Sequence, residues 1–186
     1  MYNYKKLNSY ALSGDDIKKI VGRDVKIIKY PEFGNMDSIF KCFDNNNTCI
    51  IFFETVSQMV GHWECIFFNP NTKTIEFFDS YGLPPDNAEK YLRQNTRITL
   101  KENKPYLTVL LNKAQDLGYN CIYSNYKYQE MVGNIETCGK WSSIRLKNKN
   151  MNDDEFYDYI TGIKTQNNLP TYDDTISFIV YNIIGK

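Results

Sequence analysis

His62 is the only histidine in the 186-residue chain, and no other side chain type has an ordinary pKa so close to neutrality. Any imidazole base must therefore be His62. It opens the run HWECIFFNPNTKTIEFFD, in which two stretches rich in Ile, Phe and Cys, 63–68 and 74–78, flank Asn69-Pro70-Asn71-Thr72. These four residues read as a turn with proline at its second position, where the fixed proline φ is welcome. With the turn centred between Pro70 and Asn71, antiparallel pairing sets Asp79 opposite His62 on one face, Cβ atoms roughly 4.5–5.5 Å apart. A carboxylate there can hold one ring proton, fix the tautomer and stabilise the imidazolium. A β-bulge in either strand would break this register.

A base held by an acid serves a nucleophile, and the candidate is Cys138 in Glu136-Thr137-Cys138-Gly139-Lys140-Trp141. The stretch 139–149 reads as a helix with Trp141 and Ile144 turned to a core at i, i+3 spacing. The thiol then stands at a helix N-terminus, where unpaired N–H groups and the macrodipole favour the thiolate. Gly139 offers no side chain to obstruct a substrate approaching the sulfur. Each piece has a plainer reading beside it. A lone cysteine is commonly a small buried hydrophobe, and a lone His–Asp contact is commonly structural.

The elements that would position these residues can be placed from pattern. Ser13-Gly14-Asp15-Asp16 resembles a capped helix start, with the helix running to about Val21 before Gly22. Strands are expected at 25–29, 48–53, 63–68, 74–78 and 119–124, and further helices at 86–94, 105–117, 139–149, 152–163 and 173–184. Asp44-Asn45-Asn46-Asn47 reads as a turn between two strands. There is no repeat, low-complexity tract or linker, so the chain is read as one α+β domain, 1–186, with helices around a central sheet.

Composition bounds the function. The 22 basic and 22 acidic side chains cancel, so nucleic acid is not demanded as a partner. Arg145, Lys147 and Lys149 read as a solvated helix face rather than a phosphate site. Neither a signal-peptide core nor a membrane-length apolar run is found, and an intracellular or packaged, monomeric protein is expected. Five unpaired-looking cysteines suit a reducing compartment. Cys42, Cys49 and Cys65 sit in apolar runs and read as core, while Cys121 could be exposed. His62 and Cys65, three apart on a strand, point to opposite faces and cannot share a zinc ion. With one histidine and no other clustered ligand, neither a metal nor a cofactor is expected.

Taken together, HWECIFFNPNTKTIEFFDSYGLP, the glutamine of KYQEMVGN, and TCG before a tryptophan-containing helix resemble the cysteine proteases related to the adenovirus maturation protease and the SUMO-deconjugating enzymes. The resemblance is strongest to the adenain-like maturation proteases of virophages and large DNA viruses. It covers 62–83 and 129–146, in the order His, acid, Gln, Cys, and the ordered set is far more specific than any one element. It implies a papain-like, mixed-sheet fold with Cys138 as nucleophile on a central helix, His62 as base and then acid, and Asp79 as the orienting residue. Gln129 would donate to the oxyanion; it stands further before the cysteine than in the relatives, and Asn134 in the same loop is the alternative donor. Trp63 would wall a narrow substrate groove, or else be an aromatic packed on its strand.

The activity implied is a thiol endopeptidase cleaving viral capsid precursors at glycine-containing sites, in the virion and at the cytoplasmic assembly site. An activating peptide is a further partner that the resemblance admits, through a cysteine in the region of Cys121. The rival readings are an isopeptidase acting on a ubiquitin-like modifier and a non-catalytic binding module that kept the fold.

Overall fold

The computed structural model describes residues 3–57, 60–87 and 92–185. The chain divides into two compact units: Val25–Asp79 with Leu83–Ser124, and Met1–Asp24 with Ser80–Gly82 and Asn125–Lys186.

The first unit is built on a sheet. Strands β1 (Ile27–Lys29), β2 (Thr48–Ser57), β3 (Val60–Asn69), β4 (Thr74–Phe78) and β5 (Asn120–Tyr123) lie side by side in that order. β1 runs parallel to β2 and β4 to β5, while β2–β3 and β3–β4 are antiparallel, so the sheet is mixed. β2 and β3 are near-continuous runs of Ile, Phe and Cys, buried from Ile50 to Phe53 and from Cys65 to Phe67. Such runs suit strands covered on both faces, because alternation is needed only where one face meets water.

Among the described residues, the α-helices of this unit are α3 (Gln94–Leu100) and α4 (Tyr106–Asp116). α4 turns Leu107, Leu110, Leu111 and Ala114 inward, a 3.6-residue stripe that joins Ile51, Phe53, Ile66, Ile75 and Phe77 in one core. Each buried leucine there stabilises by about 1.5–3 kcal/mol.

The expected helix 86–94 is corrected. Residues 88–91 lie outside the described residues, Asp86 is in a turn, and the helix begins only at Gln94. Asp86 instead accepts bonds from Tyr30 Oη and from the N–H groups of Leu107 and Thr108, so this residue anchors the start of α4. The Asn-rich turn is present, with Asp44 Oδ1 accepting from Asn46 and Thr48 N–H. The element before it is a 3-10 turn, Ile39–Cys42, rather than a strand.

The second unit is helical: α1 (Tyr4–Asn8), α2 (Gly14–Val21), α5 (Cys138–Lys147), α6 (Asp153–Gln166) and α7 (Tyr172–Ile184). α2 carries the expected capping box between Ser13 and Asp16 and ends at Gly22, whose φ of 81° favours a residue without Cβ. α5 is buried at every position from Cys138 to Leu146, so it is the central helix of its unit. The solvated face expected at its end is therefore corrected for Arg145. That guanidinium is fully buried, donates to the carbonyls of Asn148 and Met151 at 2.9 Å each, and lies over the Phe156 ring at 5.0 Å. Carbonyls left over at a helix C-terminus are natural acceptors for such a cation. The core of this unit includes Tyr128, Trp141 and Phe156, with the Tyr128 and Trp141 rings 4.9 Å apart.

Candidate active site

In the sheet unit, β3 carries His62 and the residue following β4 is Asp79, and His62 Nε2 lies 2.7 Å from Asp79 Oδ1. Both are buried, His62 at 7% and Asp79 at 1% exposure. An ionised carboxylate only accepts, so Nε2 is the donor of this pair. The pair forms through a different register from the one the sequence suggests. Asn69 pairs with Thr74 and Cys65 with Phe78, so the loop is Pro70–Lys73 and its last residue, Lys73, takes a φ of 53°. That register, carried one step on, sets Asp79 opposite Glu64, and the contact with His62 is diagonal. A shift of two residues keeps the same face, so the contact survives the correction.

Two neighbours complete this end of β3. Gly61 sits opposite Glu54, where β2 leaves regular register, and a Cβ on it would stand 2.1 Å from the Phe53 carbonyl oxygen. Only glycine fits the backbone beside His62 there. Trp63 pairs directly with Phe52, their rings 4.4 Å apart, on the face opposite His62 by strand alternation.

Among the described residues, His62, Glu64 and Asp79 offer ligand atoms within 4.8 Å of one another. Contrary to the expectation that no ligand clusters with the histidine, Glu64 lies two residues on along the same face. Cys65 is on the other face, as parity requires.

In the helical unit, Cys138 is the first residue of α5 and is 5% exposed. The preceding Thr137 gives no side-chain cap to the helix; its hydroxyl donates instead to Asp173 Oδ1. Asp173, buried in the first turn of α7, also accepts from the N–H of Glu130 at 3.0 Å and from Trp141 Nε1 at 3.4 Å. Burial pushes the Asp173 carboxyl above its ordinary value, while the bonds from Thr137, Glu130 and Trp141 act the other way. Lys140 is fully buried and donates to the carbonyls of Leu7 and Tyr10, at 2.9 and 2.7 Å. Burial pushes its ammonium down to about 8, opposed by the electrostatic effect of nearby Cys138, Asp173 and Glu136.

Gln129 is 1% exposed and fully engaged. Its Oε1 accepts from Ser80 Oγ at 2.7 Å, and its Nε2 donates to Tyr81 Oη at 3.2 Å and to the Ile135 carbonyl at 3.1 Å. The backbone N–H of Gln129 also bonds to the Ser80 carbonyl, so the DSYG segment after β4 holds the glutamine. Asn134, the alternative donor, is exposed, with a φ of 70° suited to a loop tip.

No protein-family model matches the chain. It is 33% identical over 160 residues to a Sputnik virophage protein, "Uncharacterized protein V9", an alignment covering 86% of this chain and 89% of that one. The chain belongs to the V9 family. Among solved structures, the ASFV pS273R protease is similar with a TM-score of 0.51 at 15% identity, over 94% of this chain and 68% of that one. The mixed sheet with its flanking helices is thus the fold of that protease. A fainter likeness, TM-score 0.43 at 15% identity over 98% of this chain and 82% of the other, is to the SUMO protease Ulp1.

Several residues of this V9-family chain escaped the sequence reading. Ser80 and Tyr81 stand within the DSYG run, where nothing local marks them as partners of Gln129. Asp173 lies in the first turn of α7, where carboxylates are common for reasons of the macrodipole alone. Lys140 was visible only as a charge, and nothing local announces that its ammonium is buried. The three apolar-run cysteines are core as expected, each fully buried, and Cys121 is half-buried with its thiol toward the Leu111 carbonyl at 3.6 Å. None of the described helices is long and apolar enough to cross a membrane.

Proposed function

We propose that this chain is a viral cysteine endopeptidase. The observation that carries the reading is the buried hydrogen bond between His62 Nε2 and Asp79 Oδ1, which orients the imidazole. In this reading Nδ1 takes the thiol proton of Cys138, and the thiolate adds to the scissile carbonyl. The Cys138 N–H and the Gln129 amide stabilise the oxyanion. Collapse of the tetrahedral intermediate breaks the C–N bond, with the imidazolium returning its proton to the leaving amine. Water then hydrolyses the acyl-thioester and restores the thiol. Gln129 is assigned the donor's role over Asn134 because it is buried and held by Ser80, whereas an exposed loop tip offers no preorganisation. Movement of the Tyr81 hydroxyl away from Nε2 would free one amide hydrogen for the oxyanion while Ser80 and the Ile135 carbonyl keep the amide in place.

The substrates assigned are capsid precursor proteins, cut at glycine-containing sites during virion maturation. Membership of a family with a virophage member and the likeness to a viral protease support this choice. The test is to incubate the protein with its coexpressed capsid precursors, and separately with ubiquitin-like fusions, and to sequence the new termini. Capsid-derived termini that vanish with Cys138→Ala are expected. New termini only in the ubiquitin-like fusions would replace the reading with an isopeptidase, and no termini in either would remove it.

A further inference from the structure

The peptide N–H after Gln129 and the hydroxyl before Cys138 converge on one carboxylate. Glu130 N–H donates to Asp173 Oδ2 at 3.0 Å, while Thr137 Oγ1 and Trp141 Nε1 donate to Asp173 Oδ1. Asp173 is itself 1% exposed, and its backbone is fixed in the first turn of α7 by the Thr171 cap. A carboxylate has acceptor sites enough for all three donors, and burial strengthens each bond electrostatically. Thr137 is fully buried, so its hydroxyl is committed to this partner instead of to the helix N–H groups that a capping threonine ordinarily serves. The loop between the two tied points is 131–136, exposed at every residue but Ile135, and it includes Gly133. Asp173 thus joins the two ends of that loop a second time, beside the Gln129 Nε2 bond to the Ile135 carbonyl.

We infer that Asp173 is a positioning residue for the oxyanion donors, clamping the segment of Gln129 and the N-terminus of α5 in one fixed relation. The inference rests on the protease reading above. A donor must lie where the oxyanion forms, and displacement by about 1 Å can cost about 10²-fold in rate. The clamp acts on the oxyanion side of the reaction and leaves thiol ionisation alone.

The experiment measures kcat, KM and the rate of Cys138 alkylation by iodoacetamide, a reaction that uses the thiolate but no oxyanion hole. In Asp173→Asn one side-chain oxygen is replaced by an N–H donor, so either Glu130 N–H or the Thr137 and Trp141 pair loses its acceptor. In Thr137→Val the hydroxyl goes and the shape stays. Each is expected to lower kcat by about 10- to 100-fold with KM within about threefold and alkylation at the wild-type rate. Thr137→Ser, which keeps the hydroxyl, is expected to restore kcat. Wild-type kcat in Asp173→Asn or in Thr137→Val, a loss seen only in KM, or alkylation falling in step with kcat would overturn the inference. If Asp173→Asn does not fold, Thr137→Val decides alone. A wild-type chain with no turnover removes the protease reading and the inference with it, whereas an active wild type with indifferent variants removes the inference only.

Discussion

Asp79 is hydrogen-bonded to His62 although the hairpin register sets it across from Glu64. The diagonal is short enough because Asp79 follows the last paired residue of β4 and is no longer held in the ladder. The expected outcome is that His62→Ala abolishes turnover, while Asp79→Asn lowers kcat/KM by no more than about 10², since asparagine still accepts from Nε2. Peptide-cleavage kinetics decide it; equal losses in the two variants would mean that Asp79 does more than orient the ring.

Gly61 lets the Phe53 carbonyl approach the backbone beside His62. A Cβ there would overlap that oxygen at 2.1 Å, and a backbone atom cannot step aside as a side chain can. Gly61→Ala is expected to destabilise by about 1–3 kcal/mol and to cut turnover by displacing His62. Urea denaturation and kinetics at matched folded fraction test this. Unchanged values for both would show that the strand pair absorbs the methyl.

The two candidate amides separate by burial. Gln129→Ala removes a donor from a fixed, buried position and is expected to lower kcat by about 10²–10³ with a smaller change in KM. Asn134→Ala, on an exposed loop, should be nearly silent. The opposite pattern would move the oxyanion donor to Asn134.

Glu102 is fully buried, and burial with the nearby Glu54 charge raises its carboxyl from 4.5 to about 7, against the N–H of Glu54 and the charge of Lys29. Its folded pKa exceeds the unfolded one, so the folded state binds the extra proton. The associated stability is present below pH 4.5 and is lost as pH rises through 7. The difference amounts to on the order of 3 kcal/mol. Glu102→Gln keeps the acceptor for Glu54 N–H and should be more stable than wild type at pH 8, with the gap closing toward pH 4.5. A gap that does not depend on pH would exclude this titration.

Lys140 joins α5 to the N-terminal segment through Leu7 and Tyr10. Lys140→Met forfeits two charge-assisted bonds, about 1.5–3 kcal/mol each. It also relieves the desolvation that brings the ammonium from 10.5 to about 8, an offset of on the order of 3 kcal/mol. The bonds sum to about 3–6 kcal/mol against that offset, so a global loss of up to about 3 kcal/mol accompanies a local effect. Hydrogen exchange over residues 3–10 should accelerate while exchange in α7 stays slow. Protection at the wild-type level would show that Asn8, through its bonds with Asp174 and Glu136, holds the segment by itself.

Much of the candidate site was legible because its determinants are local. A single histidine limits the base to one residue, a proline turn between two apolar runs makes a hairpin, and strand parity alone decides that Asp79 can share a face with His62. Parity survives an error of two residues, which is why the expected contact was found in the wrong register. The loop length was not legible, since Lys73 takes a left-handed conformation that nothing in a lysine announces. Helix caps such as Ser13 with Asp16 were readable because both partners lie within one turn.

What only the tertiary structure decided is where the buried charges go. Arg145, Lys140 and Asp173 are charged residues of ordinary helices in sequence, yet all three are in the interior, each satisfied by groups distant in sequence or beyond the end of its helix. Whether a charge can be buried depends on donors and acceptors that folding assembles, and a linear pattern carries no record of them. The types of the reacting residues, and hence the chemistry open to the chain, were set by sequence. The partners that hold Gln129, and the carboxylate that ties its segment to that of Cys138, exist only once Ser80, Tyr81, Glu130, Thr137 and Asp173 have been brought into hydrogen-bond contact by the fold.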